Sequence, residues 1–214
     1  MKRTTLVLCT LLVAAAAMGQ NEQYYSKMGE TLAQFGTSSS VGDFQNLANQ
    51  FHVIAGVEKS EWLPLYYEAH CYVLMSFMDQ QESSVRDGYL DRAGSLIDQM
   101  EEKAPDEAEV YVMKAFYHTG RLVIDPPGRA MNTSPLISAA LGKALSIEPD
   151  NPRAQFLLIS NELGTARYFG SDTAPISEKA RHLLQSWDGY QLKSPIYPNW
   201  GRNETEGIVS DCDR

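Results

Sequence analysis

Cysteine is scarce in this chain, basic runs are absent, and no apolar stretch is long enough to span a bilayer. Only three cysteines occur in 214 residues, too few for the disulfide framework that holds a small secreted scaffold together. The formal net charge is −9 and no cluster of Lys and Arg offsets it, so a polyanion such as nucleic acid would be repelled. Signatures of catalysis are missing as well. The sequence has no G-x-S-x-G elbow, phosphate loop or dinucleotide fingerprint. The four histidines, His52, His70, His118 and His182, show neither HExxH nor HxxH spacing, and the many carboxylates do not alternate around a glycine as a calcium loop requires. No metal, no cofactor and no enzyme activity are expected.

What is present begins at the N-terminus. Lys2 and Arg3 precede an apolar run from Leu6 to Ala17, which ends in a small-x-small junction, Ala17-Met18-Gly19. That pattern fits a cleaved secretory signal over residues 1–19, because a membrane span needs about 20 apolar residues. Cys9 lies inside the run, not at its end, so the expected product is periplasmic or secreted and not a lipoprotein. In an oxidising compartment Cys71 and Cys212 are the candidate disulfide pair, a closure that chain entropy values at about 4–5 kcal/mol. The alternative is a buried reduced Cys71 and a loose Cys212.

Residues 20–214 read as one helical domain. The segment Trp62 to Phe77 is apolar on most sides, as a helix buried between neighbours should be. Gly88 to Ala104 carries a cleaner stripe of Leu90, Ala93, Leu96, Ile97 and Met100, and Pro105 stops it. The same order recurs in Glu107 to Leu122 with Ser134 to Ile147, and in Pro152 to Tyr168 with Pro175 to Tyr190. Leu65-x-x-Glu68-Ala69-x-x-Tyr72 aligns with Tyr111-x-x-Lys114-Ala115-x-x-His118 at a separation of 46. A small residue in mid-helix lets neighbours approach, and internal similarity at a fixed period marks stacked repeats. Asn21 to Phe35 and Gly42 to Ala55 predict a further hairpin around a flexible Gly36 to Ser40 linker. The expected organisation is an N-terminal hairpin over 20–60, three repeat-like hairpins over 61–190 and a C-terminal cap over 191–214, in which Tyr197 and Trp200 cover Leu183, Leu184 and Trp187.

The phrase Ala144-Leu145-Ser146-Ile147-Glu148-Pro149-Asp150-Asn151-Pro152 resembles the turn that closes tetratricopeptide repeats. The resemblance covers about residues 60–190 and implies an all-α array of antiparallel helical hairpins, wound as a right-handed superhelix of degenerate repeats. Its spacing of about 44–46 residues exceeds the roughly 34 of that family. Asn151-Pro152-Arg153-Ala154, Tyr168-Phe169-Gly170 and Pro198-x-Trp200-Gly201 are also similar to a poorly characterised group of exported repeat proteins of Gram-negative envelopes.

By analogy with the repeat family, a groove would be lined by Tyr66, Tyr67, His70, Lys114, Tyr117, His118, Asn161 and Arg167. Aromatic rings with scattered basic groups suit a peptide or a small organic anion. The Asp125-Pro126-Pro127-Gly128-Arg129 segment reads as a stiff loop able to present Arg129 or Met131 to a ligand. These features predict a non-catalytic binding or assembly scaffold of the envelope, with a protein or peptide partner first and a small molecule second. The alternative is an enzyme, or an accessory subunit of one, acting on an envelope polymer.

Overall fold

The computed structural model describes residues 22–78 and 82–212, so the expected signal segment, residues 1–19, lies outside the described residues. Helix α1 covers residues 22–32, and a 3-10 turn, Phe35–Thr37, leads to α2, Val41–Val57. Six helices then form three hairpins: α3 (Leu63–Met78) with α4 (Ser83–Lys103), α5 (Ala108–Ile124) with α6 (Pro126–Ile147), and α7 (Pro152–Phe169) with α8 (Ala174–Trp187). A last helix, α9, runs from Arg202 to Cys212. No strand occurs among the described residues. The fold is an all-helical array in which each helix packs on the next, while α3 also touches α5 and α5 touches α7. The first helices of the hairpins therefore form a continuous row.

Local chemistry fixes the turns. Ser40 and Asp43 form a reciprocal capping box, with Asp43 N–H donating to Ser40 Oγ at 3.1 Å and Ser40 N–H to Asp43 Oδ2 at 3.0 Å, which satisfies two otherwise orphaned donors at the start of α2. The predicted linker is thus a 3-10 turn followed by a cap. Asn151 caps α7 through Ala154 N–H at 2.9 Å, and Pro152 follows at the first helical position, where its missing N–H costs nothing.

The Asp125 to Arg129 segment departs from expectation. It is the first turn of α6: Asp125 accepts from Gly128 N–H at 3.2 Å, and the two prolines occupy the opening positions. Proline's fixed φ and lack of an N–H suit a helix start as well as a rigid loop. Between α5 and α6 a single residue, Asp125, makes the connection.

Apolar burial divides into two neighbouring clusters. One, centred on α2 to α4, holds Phe51, Tyr66, Ala69, Met75, Leu90 and Met100. The other, from α5 to α9, holds Ala115, Leu141, Ala154, Leu157, Leu183 and Trp187. Ala69 and Ala115 are fully buried, as their repeat positions predict. Gly120 serves close approach too, since a Cβ there would meet Leu90 Cδ2 at 2.9 Å. Cys71 sits in the first cluster and Cys212 packs against the second. Both thiols are free, so the candidate disulfide is not formed: the helices that carry them belong to separate packing units.

Candidate functional site

The row of first helices, where a binding groove was expected, is covered by the chain's own tail. Tyr67 Oη donates to the Ile196 carbonyl at 2.9 Å, and Trp200 Nε1 donates to Tyr66 Oη at 2.8 Å. The Trp200 ring stacks on Phe116 at 5.2 Å, lies 5.1 Å from His70 and meets Phe156 edge-on at 6.1 Å. Tyr66, Tyr67 and His70 are consequently buried. The tail packs on two sides: Ile196 and Trp200 lie across α3, α5 and α7, while α9 packs on α8, where Ile208 joins Leu183 and Trp187 in one cluster and Trp200 packs against it. Gly201, at φ 103°, brings the backbone against Trp187 and Phe156, where any side chain would clash.

A buried polar network anchors this cover. Glu109, without solvent exposure, accepts from Arg153 Nε at 2.8 Å, Asn151 Nδ2 at 2.7 Å and Tyr66 Oη at 3.0 Å. Tyr190 Oη donates to Glu148 at 2.8 Å, while Lys193 and Tyr197 donate to Glu107 at 2.7 and 2.6 Å. Burial pushes the Glu109 carboxyl up, and Arg153 with its fellow donors opposes that shift. Such an arrangement satisfies buried charge and fixes geometry. Every oxygen of Glu109 is occupied from within, so it is poorly placed to take a proton from a substrate.

The remaining expected groove residues are dispersed. Lys114 is paired with Glu101 at 2.8 Å, and Tyr117 is half-buried beneath Arg121, whose guanidinium lies 5.3 Å from the ring centre. His118 is half-buried beside Tyr117. Asn161 donates to the Leu157 carbonyl at 2.7 Å, and the exposed Arg167 lies 3.6 Å from Asp211. Both terminal nitrogens of Arg129 bind Asp87 at 2.7 Å. Met131 is 88% exposed.

An open cleft instead lies between α1 and α2. Its volume is about 650 Å³, and Gln23, Tyr24, Lys27, Thr31, Asn49, Gln50, Val53, Ile54, Val57 and Glu58 surround it. Val53 and Val57 are 66% and 69% exposed. They lie one helical turn apart, off the Phe44, Leu47, Phe51 and Ile54 stripe that faces the core, so α2 presents a second apolar strip to the cleft. Tyr24 is buried and its hydroxyl lacks a hydrogen-bond partner. Burial first, then Glu61, Tyr25 and Glu58, raises its pKa far above the ordinary phenol value. At the rim Lys27 pairs with Glu30 at 3.0 Å, and both side chains are more than half exposed.

No protein-family model and no curated protein matches the chain. One solved structure does. The chain is similar to the HusA haemophore from Porphyromonas gingivalis, with 25% identity, a TM-score of 0.76 and coverage of 88% of this chain and 92% of that one. The likeness spans most of both chains, and the neighbour is described as a haemophore.

Chemically, the cleft offers an apolar wall and an exposed ammonium, Lys27, that pairs with Glu30. No group of three or more His, Cys, Asp or Glu able to hold a metal ion occurs among the described residues. Sequence reasoning passed over the cleft because valine and glutamine carry no motif. The available signal was the Val53-Val57 pair, two apolar side chains on the side of α2 that the core does not need.

Proposed function

We propose that this protein is a non-enzymatic carrier that binds a flat, largely apolar tetrapyrrole of the haem type in the α1–α2 cleft. The observation that carries the reading is the near full-length similarity to a haemophore. The cleft supplies the place: about 650 Å³ falls within the roughly 300–1,000 Å³ usual for small-molecule sites. Val53, Ile54 and Val57 would lie against one face of the ring, and the Lys27 ammonium would turn from Glu30 to a ring carboxylate. The basic start, apolar run and small-x-small junction of residues 1–19 support export, and hence work in the periplasm or outside the cell.

Iron has little to hold it. Among the described residues no histidine, cysteine or methionine borders the cleft, and the raised pKa of Tyr24 keeps its phenol protonated and a poor ligand. Recognition is therefore of the macrocycle, through the wall of Val53, Ile54 and Val57 and the Lys27 ammonium. An envelope scaffold that captures peptides on the first helices has less support, because the tail already lies there.

The test is a titration of the chain from residue 20 to 214 with haem and with metal-free protoporphyrin, read by Soret absorbance and by quenching of tryptophan emission. Saturable one-to-one binding of both, within several-fold of each other, is expected. Failure of either to bind at micromolar concentration would refute a haem-type ligand. Binding of haem alone would refute this cleft as the site.

A further inference from the structure

A second pocket, independent of that reading, lies on the next flank of α2. It measures about 400 Å³ and is bordered by Asn49 and His52 of α2, Glu68 and Tyr72 of α3, and Arg92, Ser95 and Leu96 of α4. Its chemistry differs from that of the apolar cleft, because it holds two opposite charges apart.

The Glu68 side chain is only 6% exposed, yet its two oxygens share a single donor, His52 Nδ1, at 3.2 and 3.3 Å. The His52 ring itself is 75% exposed. A carboxylate has about four acceptor sites, so most of the hydrogen-bonding capacity of Glu68 is unused although it is buried. Burial pushes its carboxyl up, with His52 and then Arg92 acting against the shift. A buried, under-bonded carboxylate gains most from a donor that carries positive charge.

Arg92 borders the same space and forms no ion pair with Glu68 among the described residues. Its guanidinium lies 5.5 Å from the Tyr72 ring centre and makes one long contact, 3.5 Å, to Tyr72 Oη. Of its five donors, most remain available. Asn49 Oδ1 accepts from Gln45 at 3.0 Å, which leaves the Asn49 amide nitrogen free to donate. Between the charges, Tyr72 and Leu96 provide an apolar wall.

We infer that this pocket binds a free α-amino acid with an apolar side chain, its ammonium on Glu68, its carboxylate on Arg92 and its side chain against Tyr72 and Leu96. The presence of both charges disfavours ligands of one sign: a simple amine also meets Arg92, and a simple carboxylate also meets Glu68.

The probe is L-leucine, titrated into the ¹⁵N-labelled chain from residue 20 to 214 and followed by amide shifts of Tyr72, Ser95 and Leu96, which border this pocket and not the α1–α2 cleft. Saturation in the millimolar range or tighter is expected, with isopentylamine and isocaproate, which each lack one charge, at least tenfold weaker. Glu68→Gln and Arg92→Gln should each weaken L-leucine at least tenfold. Arg92 is exposed, so its variant keeps the fold, and thermal melts of both variants confirm which comparison is valid. Unsaturated or absent shifts with L-leucine would overturn the inference, as would equal affinity of the half-ligands or an undiminished affinity in Arg92→Gln. Porphyrin titration of Arg92→Gln should match the parent, which separates this site from the α1–α2 cleft.

Discussion

The row of first helices and the α1–α2 cleft are both lined with side chains able to bind a ligand, but the chain uses one for itself and leaves the other open. On α3, α5 and α7 the aromatic residues Tyr66, Tyr67, Phe116 and Phe156 meet Ile196 and Trp200 of the tail, and Trp62, just before α3, meets Tyr197. On α2, Val53 and Val57 meet nothing comparable and remain about two-thirds exposed. The difference teaches that a dense aromatic face has no function until its cover is known. A modest apolar strip without a cover is the better candidate for ligand contact.

The largest break in that comparison comes from removing the cover. Deleting residues 194–214 takes Trp200, Tyr197 and Ile208 from packed positions, and each large aromatic lost costs on the order of 3–5 kcal/mol. The truncated chain should melt far below the full one and bind an apolar-surface dye. An unchanged melt would show that the tail is a loose appendage and that the first-helix row is available after all.

A smaller effect should come from His70, sealed beneath Trp200. Burial lowers its pKa to about 3 from an ordinary 6.5. The folded state therefore stays unprotonated where the unfolded chain takes up a proton, so stability is fully present above pH 6.5 and falls as pH drops below it. The slope is about 1.4 kcal/mol per pH unit for one proton. His118, lowered to about 4 by burial, then by Lys114 and Arg121, adds to it. Denaturant titrations between pH 7 and 5 should show this loss, and His70→Phe should remove about half of it. An identical slope in the variant would place His70 in contact with water and unseal the row.

Smaller again is the contribution of Asp87, which joins α4 to α5 and α6 through Arg121 at 2.6 Å and Arg129 at 2.7 Å. Arg129, with Arg121, holds the Asp87 carboxyl at about 2. Its stabilisation is present above the ordinary value of 3.8 and is lost as pH falls through 2. Because the cluster is partly solvated, Asp87→Asn should cost only about 1 kcal/mol at neutral pH, with the difference disappearing near pH 2. A constant difference across that range would mean that the ion pairs contribute nothing and that only packing was altered.

The fold was largely legible because helical periodicity and proline stops leave plain marks. Trp62 to Phe77 was read within a residue of Leu63–Met78, and Pro152 to Tyr168 within a residue of Pro152–Phe169. Ambiguity arose where one residue type serves two structures. Pro126 and Pro127 look like a rigid loop but open α6, because proline's fixed φ suits both. The path of the tail was legible only in part: Trp200 packs against the cluster of Leu183 and Trp187, but its contacts with Phe116 and Tyr66 join residues separated by many tens of positions and leave no local mark. Glu109 and Arg153 were equally hidden: in sequence they are ordinary surface charges, and only stacking of successive hairpin turns makes them a buried pair. The α1–α2 cleft left one faint mark, Val53 and Val57 at a single-turn interval on the wet side of an otherwise amphipathic helix.

The central claim is that the open cleft, and not the covered row, binds the ligand. The most direct measurement compares haem affinity of the parent chain with that of Val53→Asp and Val57→Asp. Both side chains are mostly exposed, so neither change should move the melting temperature by more than a degree or two. Each should weaken haem and metal-free protoporphyrin at least tenfold by placing a carboxylate against the ring face. If both variants bind haem as the parent does, the cleft is not the site and the account is contradicted.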